Sequence, residues 1–408
     1  MKLTGPFKQL LTMDKMAAKG PLSDNQLEII QDAGILHGEG KIIAVGNFNQ
    51  LKDKFNSTNI EWIEGDYVAL PGMIDVHTHI CWSGSRAGDY ALLRSGKSYL
   101  EIASMGGGIW DTVLKTRDAT LEELSEEIEQ RAYKLLKLGV TTIEVKSGYG
   151  LSVENELKIL EAIAFANKRC LAELVPTCLA AHILPKDFTG NETDYLEYLT
   201  ENLLPEVKKL KLAERVDIFV EKSAFSTNAA KTYLSKAKDM GFDIVLHGDQ
   251  FSTGAAALAI EMNAVSIDHL EAANDHEISI LSKGEVIPVI LPGASIGLGD
   301  PFAPARKLLD AGTSLVIASD WNPGSAPMGN LLVEAAILGA MEKLTMSEVW
   351  AALTCRAAFA IRKTDRGILK KGYLADIIAF KTNDYKEILY RQGQLNAGMI
   401  WKKGEIVT

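Results

Sequence analysis

Eight apolar, strand-like runs alternate with helix-period segments over about 250 residues, the length a (β/α)8 barrel takes, and no other feature constrains the fold as tightly. The runs are "MIDVHTH" (73–79), "TTIEVKS" (141–147), "AELVPTCLA" (172–180), "RVDIFVE" (215–221), "FDIVLHG" (242–248), "AVSIDHL" (264–270), "VIPVIL" (286–291) and "SLVIASD" (314–320). Between them lie segments such as "LEELSEEIEQRAYKLLKLG", where Leu124, Ile128, Leu135 and Leu138 recur at near-helical spacing. "SVENELKILEAIAFANKR" reads the same way, with Ser152 as the expected N-cap ahead of acidic first-turn residues. Near-continuous hydrophobicity in each run suits parallel strands covered on both faces. A doubly wound open sheet would more often carry a glycine-rich phosphate loop after its first strand, and none stands there. "SMGGGIW" (104–110) lies in a long first loop and reads as a turn or lid element.

The chain ends look different. "AGILHGEGKIIAVGNFNQL" (33–51), "GYLADIIAFKTNDYKEI" (372–388) and "AGMIWKKGEIV" (397–407) are short β-type runs separated by turn glycines. The expected fold is therefore α/β: a TIM barrel over 70–362, with residues 1–69 and 363–408 joined into a small β-sandwich domain beside it. A chain of 408 residues that is 47% apolar can bury cores of that size. Its net charge of −10 counts against a nucleic-acid partner. No apolar run reaches 18 residues, so no membrane span is expected, and "MKLTGPFKQLLTMDKMAAKG" lacks the pattern of a secretory signal. Cys81, Cys170, Cys178 and Cys355 are scattered without metal or disulfide spacing, as expected of reduced thiols in a cytoplasmic protein.

Ligand-type side chains collect at the ends of these strands. His77 and His79 stand at i and i+2 on an extended segment, which turns both side chains to one face. His247 closes the fifth strand, His269 the sixth and Asp320 the eighth. A barrel gathers the C-terminal ends of its strands at one mouth, so these five residues meet in space. Three imidazoles and a carboxylate suit zinc or iron with an open position for water. Five candidates exceed four ligands, which leaves one as a proton-handling group. Cys81, two residues past His79, would crowd such a site and is read as packing.

"PGMIDVHTH", His247, the His269 in "SIDHLE" and the Asp320 in "ASDWNPGS" resemble the amidohydrolase superfamily. "HTHICWSGSRAGDY", "SYLEIASMGGGIWDTVLKTR", "EVKSGYGL", "AAHILP", "LPG", "SDWNPGSAP" and the closing "GILKKGYLADI" are similar, more narrowly, to its imidazolonepropionase family. That resemblance implies a hydrolase of histidine degradation, opening the cyclic amide of 4-imidazolone-5-propanoate to N-formimidoyl-L-glutamate with metal-activated water. It implies one Zn2+ or Fe3+ per chain, held by His77, His79, His247 and Asp320, with His269 beside the activated water. His269 and Asp320 would be the catalytic pair. Arg86, Tyr149 and His182 would bind the substrate, with Gln250, Asn322, Gly324 and Ser325 completing the pocket. A small molecule is the expected partner, and a homodimer the expected assembly. Arg86 also has a physical case of its own, because a guanidinium matches a propionate tail bidentately.

Three positions qualify the resemblance. Gln250 stands three residues after His247, where base-deaminating relatives carry Glu; a neutral amide can hydrogen-bond a ring but cannot shuttle a proton. Glu221 and Lys222 end the fourth strand, where two-metal relatives keep a bridging lysine; here one is expected to face out and the other to sit in a polar pocket. Tyr99 in "KSYLEI" reads as a helix-face aromatic before a substrate contact. The competing functions are a hydrolase of a hydantoin or guanine-like ring on the same scaffold, and a metal-free scaffold protein.

Overall fold

A computed structural model describes residues 1–56, 58–97, 101 and 105–407. Strands β1 (Lys2–Leu11), β2 (Ile29–Gly38), β3 (Lys41–Asn47), β4 (Asn59–Trp62) and β5 (Val68–Pro71) precede the barrel. The barrel strands are β6 (Met73–Asp75), β7 (Val140–Lys146), β8 (Glu173–Ala181), β9 (Arg215–Val220), β10 (Asp243–Gly248), β11 (Ser266–His269), β12 (Ile287–Ile290) and β13 (Val316–Ile317). Strands β14 (Ile377–Phe380), β15 (Ala397–Lys402) and β16 (Glu405–Ile406) follow.

The strands β6 to β13 pair in parallel and in chain order. Every residue of β7 is buried, as expected for a strand covered by helices outside and side chains inside. The helix Leu121–Lys137 buries Leu124, Ile128 and Leu135. Its start is a capping box: Thr120 Oγ1 accepts from Glu123 N at 3.2 Å, and Thr120 N donates back to Glu123 at 2.8 Å. Such a cap is worth about 1 kcal/mol. Ser152 caps the helix Val153–Arg169 by accepting from Asn155 N at 3.3 Å, as its position predicted.

The first and last barrel strands are shorter than expected. Regular pairing stops at Asp75 and at Ile317, although the apolar runs extend to 79 and 320. Asp320 has φ +52°, a conformation that cannot continue a ladder. In place of a ladder, the barrel is closed by a single bridge between Thr78 and Trp321. Asp320 N donates to His77 O and His79 N to Trp321 O, each at 3.0 Å.

Both chain ends contribute to one mixed sheet, in the order β16–β15–β14–β5–β1–β2–β3 with β4 beside β1. Ile35 and Ile42 near one edge share a buried cluster with Ile377 and Trp401 near the other, so the sheet folds over on itself as the layers of a sandwich do. Lys41 bridges Leu374 across the fold, and Phe7 meets Trp401 edge-on at 5.9 Å. β1 lies outside the β-type runs expected from sequence, because its buried positions come in blocks rather than alternating. The helix Ala87–Arg94 after Arg86 was likewise not expected. Tyr99 and Ser104 lie outside the described residues; Met105 and Gly106 form a turn, and Gly108, at φ +80°, starts the helix Ile109–Asp118. All four cysteines are free, and Cys81 belongs to the main core, where burial pushes its thiol up to about 12. Among the described residues no helix is long and apolar enough to cross a membrane.

Candidate active site

The hydrogen bonds that close the barrel involve the residues expected to hold a metal. Because His77 O and Asp320 N are partners, and His79 N follows two residues on, three of the four side chains are brought to one point by the closure itself. β10 delivers the fourth. His77 Nε2 lies 3.3 Å from His79 Nε2, and His247 Nε2 lies 3.4 Å from His79 Nε2. Asp320 Oδ1 stands 3.4 Å from His77 Nε2 and 3.3 Å from His79 Nε2. The three histidines form a buried group suited to a metal ion.

The spacing fits such an ion quantitatively. Ligands about 2.0–2.1 Å from a tetrahedral centre stand about 3.3–3.4 Å apart. The charges fit as well. Asp320, Asp268, Asp217 and Glu144 are buried around the centre, with Lys146 the buried ammonium among them. Burial drives His79 and His247 down to about 3, which keeps both rings neutral with a lone pair to offer. Burial acts on His77 in the same sense, yet its bonds to Asp268 and Asp320 hold it up at about 9, so the site favours positive charge. Burial would raise Asp320, but the His77 and His79 rings beside it hold it well below the usual carboxylate range.

A further layer of carboxylates orients the rings. His77 Nδ1 donates to Asp268 Oδ2 at 2.6 Å, and His247 Nδ1 lies 3.0 Å from Asp217 Oδ2. With Nδ1 turned to a carboxylate, each ring directs Nε2 inward. Lys146 Nζ donates to Asp217 at 2.8 Å and to Glu144 at 2.9 Å, and lies 3.6 Å from Asp268. Sequence reasoning missed Glu144, Lys146, Asp217 and Asp268. The available signal was charge inside otherwise apolar strand runs, which a barrel interior tolerates only when the charges are paired.

The remaining site residues fall into two groups around this centre. His182 stacks on His79 at 5.3 Å between ring centroids, and Tyr149 lies 5.7 Å from His182 and 5.9 Å from His79. His182 Nδ1 donates to Gly148 O at 3.0 Å, since a carbonyl can only accept, which leaves Nε2 as an acceptor. His269 packs 5.4 Å from His247 and 5.8 Å from His77. Its Nδ1 lies 3.4 Å from Glu271, and its φ is +89°. Non-glycine residues persist in that region only where their surroundings hold them.

The second group is the turn after Asp320. Asn322 Nδ2 donates to Asp320 O at 2.7 Å and to Ser325 Oγ at 2.9 Å, while Asn322 Oδ1 accepts from Gly324 N and Ser325 N, both at 2.8 Å. Ser325 Oγ reaches Asp320 Oδ2 at 3.5 Å. A Cβ on Gly324 would stand 2.7 Å from Arg86 Nη1, so the glycine is what admits the guanidinium. Arg86 is steadied by Asp89 at 2.8 Å and faces a cavity of about 660 Å3 that Asn322 and Gly324 also line.

Gln250 joins neither group through a hydrogen bond among the described residues; it is partly buried, between Asp249 at φ +54° and Phe251. Glu221 is buried and accepts from Phe251 N and Ser252 N at 2.8 and 3.1 Å, so it holds the loop that carries Gln250. Lys222 is exposed. The expected division between Glu221 and Lys222 is the observed one.

A profile of the amidohydrolase family matches residues 101–408. An imidazolonepropionase of Bacillus cereus (strain AH187) is 38% identical over 404 residues, covering 98% of this chain and 94% of that protein. The imidazolonepropionase of Bacillus mycoides (strain KBAB4) matches at the same identity and coverage. Among solved structures, the zinc complex of atrazine chlorohydrolase from Arthrobacter aurescens TC1 superposes with TM-score 0.72 at 16% identity, covering 100% of this chain and 95% of that one. Guanine deaminase from C. acetobutylicum superposes with TM-score 0.72 at 16% identity, covering 100% of both chains. At such identities these two structures speak for the fold alone.

Proposed function

The chain belongs to the amidohydrolase family, in its imidazolonepropionase branch, and on that premise we propose that it hydrolyses 4-imidazolone-5-propanoate to N-formimidoyl-L-glutamate. The observation that carries this reading is the convergence of three Nε2 atoms and Asp320 Oδ1 at 3.3–3.4 Å, with Arg86 held beside the turn that follows Asp320. His77, His79, His247 and Asp320 would hold one Zn2+ or Fe3+. Residues 70–362 carry the chemistry, and 1–69 with 363–408 form the supporting β unit.

When bound, such an ion supplies water acidic enough to ionise near neutral pH and polarises the ring carbonyl. The protein's own groups do the rest. Arg86 grips the propionate with its fork of donors. His182, whose Nδ1 proton is committed to Gly148 O, offers Nε2 to an N–H of the substrate ring, and Tyr149 flanks it. Among the described residues, Asp320 Oδ2 is engaged only by Ser325, at 3.5 Å. It takes the proton of the attacking water and passes it to the ring nitrogen as the C–N bond breaks and its electron pair goes to nitrogen. His269 donates toward the oxygen that becomes negative when water adds to the carbonyl. Gln250 hydrogen-bonds the ring without exchanging a proton.

The direct test is product identity. Incubation with 4-imidazolone-5-propanoate should yield N-formimidoyl-L-glutamate by mass spectrometry, while guanine and hydantoin stay unchanged. Turnover of either ring with the imidazolone untouched would overturn the assignment. Elemental analysis should find about one metal per chain, because Lys222 faces solvent and Glu221 is committed to the 250–252 loop; about two would contradict that.

A further inference from the structure

Lys146 is among the largest fully buried side chains of the protein, and nothing in the proposed reaction uses it. It sits on β7 beneath the histidine cluster, within hydrogen-bond reach of Glu144 and Asp217 and 3.6 Å from Asp268. Asp268 and Asp217 are the carboxylates behind His77 and His247. With Glu144 they place three buried carboxylates around the Lys146 ammonium, and Asp320 adds a fourth buried carboxylate beside the histidines. Carboxylates crowded into a dry interior without a counter-charge repel one another and destabilise the fold.

We propose that Lys146 is a positioning residue for the metal centre: an internal counter-ion that keeps Asp217 and Asp268 seated behind His247 and His77 before any metal arrives. The proposal rests on the reading of the cluster as a metal site. Lys146 and the incoming ion answer the same excess of negative charge. Loss of the lysine therefore harms the empty protein more than the loaded one. Removal of the charge of Glu144, which touches Lys146 and, among the described residues, no ligand histidine side chain (its Oε2 accepts from Thr78 N at 3.4 Å, a bond an amide oxygen can keep), has the opposite effect on metal dependence.

The test compares melting temperatures of the full chain, chelated and zinc-loaded, for wild type, Lys146→Met and Glu144→Gln, with zinc affinity measured by titration. The zinc-induced rise should be larger than wild type in Lys146→Met and smaller in Glu144→Gln, with dissociation constants moved in opposite directions by about tenfold, the scale of outer-layer effects on metal sites. A merely structural role lowers chelated and loaded proteins together; equal zinc-induced rises in all three proteins, or shifts of reversed sign, would overturn the proposal. A Lys146→Met protein that folds only with zinc present is the expected result in its extreme form. If that variant does not fold at all, Glu144→Gln alone decides. A wild type that neither binds zinc nor gains stability from it would refute the metal reading itself, a failure distinct from a shared rise in all three.

Discussion

His77, His79 and His247 each have two ring nitrogens, and the centre works only if the right one is turned inward. Asp268, accepting the Nδ1 proton of His77 at 2.6 Å, makes that choice for one ring. Asp268→Asn can present an N–H to Nδ1 and reverse the tautomer. Zinc affinity by competition with a chromophoric chelator should fall about 10–100-fold; an unchanged affinity would remove Asp268 from the orienting role. Arg86→Lys keeps the charge but loses the fork. The expected result is a KM raised about tenfold with kcat retained, the scale of one charged hydrogen bond; steady-state kinetics showing the loss in kcat alone would place Arg86 elsewhere. Gln250→Glu should keep ring-opening activity, since the proton path proposed above runs through Asp320; a loss as deep as that of His247→Ala would make position 250 essential. The histidines and Asp320 were legible because a barrel gathers strand ends. Lys146, Asp217 and Asp268 were not, because a charge within a strand looks alike in sequence whether it faces solvent or a paired interior.

At the scale of elements, the turn from Asp320 to Ala326 is organised by one side chain, Asn322, and backed by the helix Pro292–Leu298. A Cβ on Gly297 of that helix would run into the Ser325 carbonyl, and no rotamer relieves a backbone contact. Gly297→Ala should therefore displace Ser325 and lower kcat by on the order of 100-fold, as misplacement by an ångström can do, while the barrel stays folded by circular dichroism. Near wild-type kcat would show that the turn tolerates movement. Six of the eight barrel strands lie within two residues of their apolar runs. The two exceptions, β6 and β13, are cut short where the backbone leaves the ladder to form the site. β1 escaped notice because Gly5 and Pro6 interrupt it and its buried residues do not alternate. Pattern reading finds regular elements and loses those bent to serve a neighbour.

Across the whole molecule, the barrel and the β unit are fastened by buried polar clamps as well as apolar contact. Arg356 is fully buried behind the barrel and donates to Ala17 O at 2.9 Å and to Gly20 O at 2.7 Å. Arg366 joins Thr142 and Glu173, at 3.0 and 2.9 Å. Arg356→Met should lower the unfolding free energy by about 3 kcal/mol, measured by denaturant titration, and leave kcat near that of wild type. A parallel collapse of activity would mean that the ends of the chain shape the site directly. The joining of both ends into one β unit was legible from their turn glycines and short apolar runs, but the clamps that dock it were not, because long-range partners leave no local pattern.

The most direct measurement follows the ultraviolet absorbance of freshly prepared 4-imidazolone-5-propanoate in the presence of the purified protein, as isolated, after chelation and after metal is restored. The expected result is rapid decay, lost on chelation and regained with about one equivalent of zinc or iron. Decay no faster than in the chelated sample, with the metal bound and the protein folded, would contradict the account.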